Sequence, residues 1–177
     1  MNLVLIGFMA AGKTSVGKRL ARRLGYRFLD TDEVIETETG CAISEIFAHQ
    51  GEPYFRELET RLLRNLGQLQ NHVLATGGGI ITTPGNMELL KAIGTVVFLN
   101  AEPEDILKRL RRDTRRPKVQ GGDLEEKVHG LLGQRMTLYQ EADVVVSTAG
   151  RSVNQTAGEV LRRVIAFRHD AAQARNA

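Results

Sequence analysis

Residues 7–14 read Gly-Phe-Met-Ala-Ala-Gly-Lys-Thr and match the pattern G-x-x-x-x-G-K-[ST], which is typical of loops that bind the phosphates of a nucleoside triphosphate. The apolar run Leu3-Val4-Leu5-Ile6 leads into this loop, and a helical pattern follows it. Successive backbone N–H groups of such a loop surround a polyphosphate, and the helix N-terminus behind them adds partial positive charge. The alternative is a chance glycine-rich turn, which the strand before the loop and the helix after it disfavour.

The residue types within this phosphate loop predict separate roles. Lys13 is expected to reach the β- and γ-phosphates, and the Thr14 hydroxyl is expected to bind Mg²⁺. The predicted nucleotide-binding positions of the loop are Gly7, Ala10, Ala11, Gly12, Lys13, Thr14 and Ser15.

Length and composition indicate one ordinary globular domain. The chain has 177 residues, of which 42% are hydrophobic and 25% charged. We expect a single domain over residues 1–170 and a frayed tail over residues 171–177. No apolar run is long enough to cross a membrane, and we see no secretory signal. Cys41 is the single cysteine, which excludes an internal disulfide, and we expect a reduced, cytoplasmic compartment.

The positive charge is concentrated in one short stretch rather than spread along the chain. The net charge is +3 and the pI is about 9.2. No aromatic residues interleave the basic cluster, as a base-stacking surface for nucleic acid would require. We therefore predict a local anion clamp and no nucleic-acid partner. The cluster consists of Lys108, Arg109, Arg111, Arg112, Arg115, Arg116 and Lys118.

Apolar runs suited to buried strands alternate with helical patterns along the chain. This alternation predicts an α/β fold with a parallel sheet covered by helices on both faces, and ligands at the carboxyl ends of the strands. The predicted strands are residues 2–6, 26–29, 72–75, 95–99 and 143–147. The predicted helices are residues 13–24, the segment after 32, 42–48, 53–69, 84–92, 103–112, 124–139 and 153–167, and the polar stretch from 168 is expected to fray.

Two aspartates follow the second predicted strand. The alternation of a strand would point Asp30 and Asp32 toward the same side. Asp30 is placed to hold a water on Mg²⁺, and Asp32 can accept a hydrogen bond from a substrate hydroxyl. The alternative is that Asp32 only caps the next helix.

Three consecutive glycines, Gly77, Gly78 and Gly79, follow the third predicted strand. Such a run restricts the chain at a high entropic cost, and it is useful where backbone must approach a ligand closely. A flexible turn is the alternative.

Arginines outside the basic cluster are candidates for binding an acidic substrate. Glu59 lies three residues after Arg56, so it either forms a surface ion pair with that arginine or holds it ready for a carboxylate. Arg135 lies among apolar residues late in a predicted helix, and it is either solvated there or points into the site. We predict that residues 109–122 form a mobile cationic lid, from which Arg116 stabilises the transferring phosphoryl group.

Taken together, these residues resemble those of the shikimate kinases over about residues 3–151, a likeness that includes the order in which the motifs occur. The matching pieces are the loop 7–14, Asp30-Thr31-Asp32, Gly51-Glu52-x-x-Phe55-Arg56-x-x-Glu59, Gly77-Gly78-Gly79, Arg116-Pro117 and Arg135-x-x-x-Tyr139.

The resemblance implies a fold like that of the nucleoside monophosphate kinases, with a five-stranded parallel sheet. It implies phosphoryl transfer from ATP and Mg²⁺ to the 3-hydroxyl of shikimate. By the family pattern, Lys13, Asp32 and Arg116 are catalytic, and Arg109, Arg116 and Arg151 bind ATP. The implied shikimate contacts are Asp32, Arg56, Gly77, Gly78, Gly79 and Arg135.

The sequence departs from the family pattern in three places. Ala10 replaces a usual glycine, which is compatible with a negative φ and is expected to weaken ATP affinity at most. Lys118-Val119 replaces an apolar pair in the lid, and the segment 149–152 lacks a proline common near adenine. The alternatives are a gluconate kinase-like enzyme, a nucleoside monophosphate kinase and a nucleotide-dependent switch. The small size of the chain favours a monomer.

Overall fold

The structure, a computed structural model, describes residues 1–112 and 123–174. Its centre is a five-stranded sheet in the order β2-β3-β1-β4-β5, in which all neighbouring strands are parallel. The strands are β1 Leu3–Ile6, β2 Arg27–Asp30, β3 His72–Ala75, β4 Thr95–Asn100 and β5 Val144–Ser147. The predicted α/β fold and its five strands are confirmed.

Within the described residues, seven helices connect the strands and an eighth follows β5, together with short 3₁₀ turns at Leu66–Gln68 and Ile80–Thr82. The helices are α1 Lys13–Leu24, α2 Thr31–Thr39, α3 Ile43–His49, α4 Gly51–Asn65, α5 Asn86–Ile93, α6 Pro103–Leu110, α7 Leu124–Tyr139 and α8 Val153–Ala174. None of them is long and apolar enough to span a membrane. The pattern predicted the bounds of α1, β3 and α7 as observed, and most of the others to within a few residues.

The C-terminal helix corrects one prediction. The chain was expected to fray from residue 168, and a tail was expected over 171–177, but α8 continues to Ala174. Three alanines lie in the added segment, and alanine has the highest intrinsic preference for a helix. Residues 175–177 lie outside the described part of the chain.

Apolar side chains fill both faces of the sheet. On one face, β1, β3, β4 and β5 pack against α1 and α8 through residues such as Leu5, Leu20 and Val160. On the other face, α4, α5, α6 and α7 cover a larger core that contains Phe98 and Tyr139. The inner strands are almost completely buried, as expected for a parallel sheet covered on both sides.

The strand β5 forms one edge of the sheet. Val145 in this strand is partly exposed, and its carbonyl oxygen accepts a hydrogen bond of 2.9 Å from the Arg163 guanidinium of α8.

At the carboxyl end of the sheet, the phosphate loop follows β1, Asp30 ends β2 and the triple glycine follows β3. The phosphate loop, Asp30 and the triple glycine therefore lie together at the carboxyl ends of the strands.

Candidate active site

The phosphate loop holds its lysine against its own backbone. The Lys13 Nζ atom donates hydrogen bonds of 2.8 Å to the carbonyl oxygens of Gly7 and Phe8. Gly7 has a φ of 148°, and a Cβ there would lie 2.8 Å from the Leu99 carbonyl oxygen. Only glycine fits this position, so the loop lies close against β4 and the ammonium group is positioned at the start of α1.

Ala10 has a backbone angle that is unfavourable for an alanine. An alanine fits this position without strain only if its φ is negative, but the φ of Ala10 is 59°, in the left-handed region. An L-residue with a Cβ is strained there by roughly 1–2 kcal/mol, which glycine avoids. The sequence shows the substitution but not the backbone angle, which is a property of the folded loop.

Thr14 and Asp30 bring two oxygen groups together that could hold a metal ion. The Thr14 hydroxyl donates a hydrogen bond of 2.9 Å to Asp30 Oδ2. The other carboxylate oxygen of Asp30 accepts from the Asp32 backbone N–H and so caps α2. Hydroxyl and carboxylate oxygens suit Mg²⁺, which usually takes one or two protein groups plus phosphates and waters. The donor set fits this ion, and the described residues contain no cluster of three or more His, Cys, Asp or Glu side chains that could hold a metal alone.

Asp32 reaches the site from a helix and not from a strand. We expected strand alternation to align it with Asp30, but β2 ends at Asp30 and Asp32 lies in the first turn of α2. The helix cap is Asp30, so capping does not explain Asp32. Its Oδ1 atom lies 2.8 Å from the point where a Cβ on Gly77 would be. The carboxylate therefore faces the triple-glycine loop at the mouth of the site.

Each residue of the triple glycine has its own close neighbour. A Cβ on Gly77 would lie 2.6 Å from Glu59 Oε1, one on Gly78 would lie 2.9 Å from the Met9 backbone nitrogen, and one on Gly79 would lie 2.7 Å from the Arg56 Cζ atom. These separations are too short for a side chain. We predict close approach of this backbone to a ligand, and the close neighbours that the structure shows are protein groups of the site.

Arg56 is held by two carboxylates of α4. Its Nη1 and Nη2 atoms lie 2.6 Å from Glu59 Oε2 and Glu52 Oε1 respectively. The Glu59 side chain is 0% exposed, so this is not the solvated surface pair that the spacing also allowed. Burial alone would lower the pKa of Arg56, and Glu59 and Glu52 more than offset it, so the pKa is raised and the guanidinium stays charged.

Glu59 is a buried carboxyl group with a perturbed pKa. Burial, aided by the charges of Asp32 and Glu52 and opposed by Arg56, raises its pKa to about 7. Within the described residues, its Oε1 atom has no hydrogen-bond partner. The side chain is therefore partly protonated near neutral pH.

Arg135 of α7 contacts the same loop at Gly78. Its Nη1 atom lies 3.4 Å from the Gly78 carbonyl oxygen, and its Cζ atom lies 5.9 Å from the centroid of the Phe8 ring. Tyr139, one turn later, donates a hydrogen bond of 2.5 Å to the same carbonyl. Sequence reasoning gave Tyr139 no role, although its i,i+4 spacing from Arg135 places both on one helix face.

The predicted ATP-binding arginines are only partly described. Arg109, at the end of α6, donates a hydrogen bond of 2.8 Å to the Ala10 carbonyl oxygen, so it lies against the phosphate loop. Arg151 donates to the Ser147 carbonyl at the end of β5. Arg116 and most of the predicted lid, residues 113–122, lie outside the described residues.

Comparison with known proteins identifies the family. A family model described as shikimate kinase matches residues 9–165. The chain belongs to the shikimate kinase family. A shikimate kinase of Geobacter sulfurreducens is 46% identical over 159 residues, which cover 90% of this chain and 88% of that protein. One of Cupriavidus pinatubonensis is also 46% identical, over 98% of this chain and 92% of its own length.

A solved structure supports the same family assignment. Shikimate kinase from Acinetobacter baumannii, in complex with shikimate, superposes with a TM-score of 0.89 at 42% identity and 93% coverage of each chain. The resemblance drawn from the motifs is thus confirmed, and with it the kinase fold around a phosphate loop.

Proposed function

We propose that this protein transfers the γ-phosphoryl group of ATP to the 3-hydroxyl of shikimate, giving shikimate 3-phosphate and ADP, in aromatic amino-acid biosynthesis. The observation that carries the proposal is that two half-sites meet at Gly78. The Met9 backbone of the phosphate loop abuts this glycine, while Arg135 lies against its carbonyl and Arg56 lies over the next residue, Gly79. A triphosphate and an acidic acceptor bound there would be neighbours.

The acceptor half is suited to a hydroxylated carboxylic acid. The guanidinium groups of Arg56 and Arg135 flank the triple glycine and can both donate to a carboxylate. Glu59 keeps Arg56 in place from the buried side. Gly77 and Gly79 leave room for the charged side chains beside this loop. The Asp32 carboxylate is one of them, and it can accept a hydrogen bond from an acceptor hydroxyl.

The donor half is suited to the phosphates of ATP. Lys13 and the N-terminus of α1 supply positive charge, and Gly7 and residues 10–15 supply the surrounding backbone. Thr14, supported by Asp30, would hold Mg²⁺, which neutralises charge on the phosphates when bound. Arg116 is proposed to reach the transferring group from the lid, and Arg109 and Arg151 to line the nucleotide.

The residues present favour catalysis by positioning and by neutralising charge. The unperturbed pKa of an aspartate is about 3.9, which makes Asp32 a weak base. A loose transition state does not require early removal of the hydroxyl proton. We propose that Asp32 mainly orients the attacking oxygen in line with the γ-phosphorus.

The test is ADP release from ATP and Mg²⁺, measured with shikimate, with gluconate and with no acceptor. Of these three reactions, we expect rapid turnover only in the one that contains shikimate. The variant Asp32→Asn should lose kcat by about 10²-fold or more, while Glu33→Gln, its exposed neighbour on α2, should not. Equal ADP release with and without shikimate would refute the function. Near-normal turnover by Asp32→Asn would refute the role of that aspartate.

Two further proposals concern the state of the protein in the cell. We propose a monomer, because the chain is small and both half-sites are built from its own residues. We propose a cytoplasmic location, which the pathway and the exposed free thiol of Cys41 support. Size-exclusion chromatography with light scattering tests the first, and cell fractionation tests the second.

A further inference from the structure

Tyr139 is a buried polar residue to which the proposed reaction gives no role. It lies one turn after Arg135 on α7 and is 0% exposed. Its ring stacks on Phe98 of β4, with 4.8 Å between ring centroids and 9° between planes. Burial raises the pKa of its phenol to about 12, against the opposing charge of Arg135 and a hydrogen bond from that guanidinium. The hydroxyl therefore keeps its proton and remains a donor to Gly78.

The Gly78 carbonyl oxygen accepts from two donors that differ in distance. The Tyr139 hydroxyl lies at 2.5 Å, whereas Arg135 Nη1 lies at 3.4 Å, near the limit of a hydrogen bond. The short bond comes from Tyr139, whose ring stacks on Phe98. The long bond comes from the arginine that is expected to bind the substrate carboxylate.

Gly78 has little freedom to move away from this contact. A Cβ on it would lie 2.9 Å from the Met9 nitrogen, so the glycine is in close contact with the phosphate loop. Its peptide is therefore confined between that loop and the Tyr139 hydroxyl. A carbonyl in this half-buried place would be costly to leave without a partner.

We propose that Tyr139 is a positioning residue for the acceptor, whose hydroxyl satisfies the Gly78 carbonyl and leaves the Arg135 guanidinium available to the substrate carboxylate. Without that hydroxyl, Arg135 is the remaining described donor to the Gly78 carbonyl. If the guanidinium then turns to the substrate carboxylate, its hydrogen bond to Gly78 is lost. The inference rests on the proposed function, because it takes shikimate as the acceptor.

The test compares Tyr139→Phe with the wild type. The ring and its stacking on Phe98 remain, and only the hydroxyl is lost. We expect the KM for shikimate, and its Kd by calorimetry, to rise about tenfold. We expect kcat and the KM for ATP to stay within about threefold, because the change acts on ground-state binding of one substrate. The matched control is Tyr26→Phe, because Tyr26 is half-buried and packs in the core on the opposite face of the sheet. This change should leave the KM and the Kd for shikimate unchanged.

A second comparison addresses the link to Arg135. In an Arg135→Lys background, adding Tyr139→Phe should raise the KM for shikimate by much less than in the wild-type background, since the shared arginine is gone. If Tyr139→Phe does not fold, Phe98→Leu is the substitute, because it keeps the Tyr139 hydroxyl but removes the ring on which Tyr139 stacks. It should raise the KM for shikimate by a smaller factor.

Several outcomes would overturn the inference. An unchanged shikimate Kd together with a lower melting temperature would make Tyr139 purely structural. Equal losses for ATP and shikimate would indicate general damage, and additive effects in the double variant would remove the link to Arg135. These results require a wild type that is active with shikimate. A wild type without shikimate-dependent ADP release would overturn the proposed function and this inference with it.

Discussion

At the scale of single residues, the missing side chains of the triple glycine determine where the charged groups of the site lie. Gly77 leaves room for the carboxylates of Glu59 and Asp32, and Gly79 leaves room for the Arg56 guanidinium. The run of glycines predicted a site from sequence alone. Which neighbours require the space was not predictable, because they come from helices far away in the chain.

The positive φ of Ala10 predicts that replacing alanine by glycine changes stability in opposite directions at positions 10 and 11. Ala10→Gly should stabilise the protein by about 1 kcal/mol, because glycine adopts a φ of 59° without the strain that a Cβ imposes. Ala11, which does not have a positive φ, is the control, and Ala11→Gly should destabilise by roughly 0.5–1 kcal/mol. Urea unfolding measures both. A loss of stability in Ala10→Gly would contradict the strained loop, and the KM for ATP measured alongside tests the expected effect on nucleotide affinity.

At the scale of elements, α4 and α7 each bring one arginine to the loop after β3, Arg56 at Gly79 and Arg135 at Gly78. The helical pattern and the strand before the glycines were readable from the sequence, because both depend on local periodicity. The capping of α2 by Asp30 was not predicted, because an aspartate before a helix and one in its first turn look alike in a sequence. The helical extension of α8 was missed because its charged residues resemble a frayed tail.

The triple-glycine loop predicts a selective loss of acceptor binding. In Gly79→Ala, the new methyl group would lie 2.7 Å from the Arg56 Cζ atom, so the guanidinium must leave its place. We expect the KM for shikimate to rise at least about tenfold, as when a charged partner is misplaced, with little change in the KM for ATP. Gly67→Ala, where a Cβ meets nothing within 4 Å, is the control. Steady-state kinetics with each substrate varied in turn measure both KM values. An unaltered KM for shikimate would show that acceptor binding does not depend on the observed position of the Arg56 guanidinium.

At the scale of the whole molecule, the sheet gathers residues that are distant in sequence at one edge. The order β2-β3-β1-β4-β5 places β1 between β3 and β4, so the phosphate loop lies beside the triple glycine. The sequence predicted a parallel sheet with ligands at its carboxyl edge, because alternating strands and helices have few stable arrangements. The strand order depends on long-range pairing and was not predicted.

The stability of the whole protein should depend on the protonation of Glu59. Its pKa of about 7 in the fold lies above the ordinary value of 4.5, so between these pH values the folded state binds more protons than the unfolded state. Stability from this group is therefore full below about pH 4.5 and falls as pH rises through about 7, by up to about 3 kcal/mol.

Urea unfolding at pH 5 and pH 8 tests this dependence. The variant Glu59→Gln cannot ionise and should lose less stability between the two pH values than the wild type. Glu57→Gln, an exposed neighbour on α4, should behave as the wild type does. The same pH slope in Glu59→Gln and the wild type would show that Glu59 has an ordinary pKa.

The hydrogen bond from Arg163 to the Val145 carbonyl bears on how the protein behaves at high concentration. An outer strand with open acceptors can recruit a strand from another molecule and start intermolecular sheet growth. Arg163 keeps one acceptor of β5 occupied and sets a bulky cation beside the partly exposed Val145. The helix that packs against this end of the sheet thereby also hinders its extension by a second copy, which favours colloidal solubility.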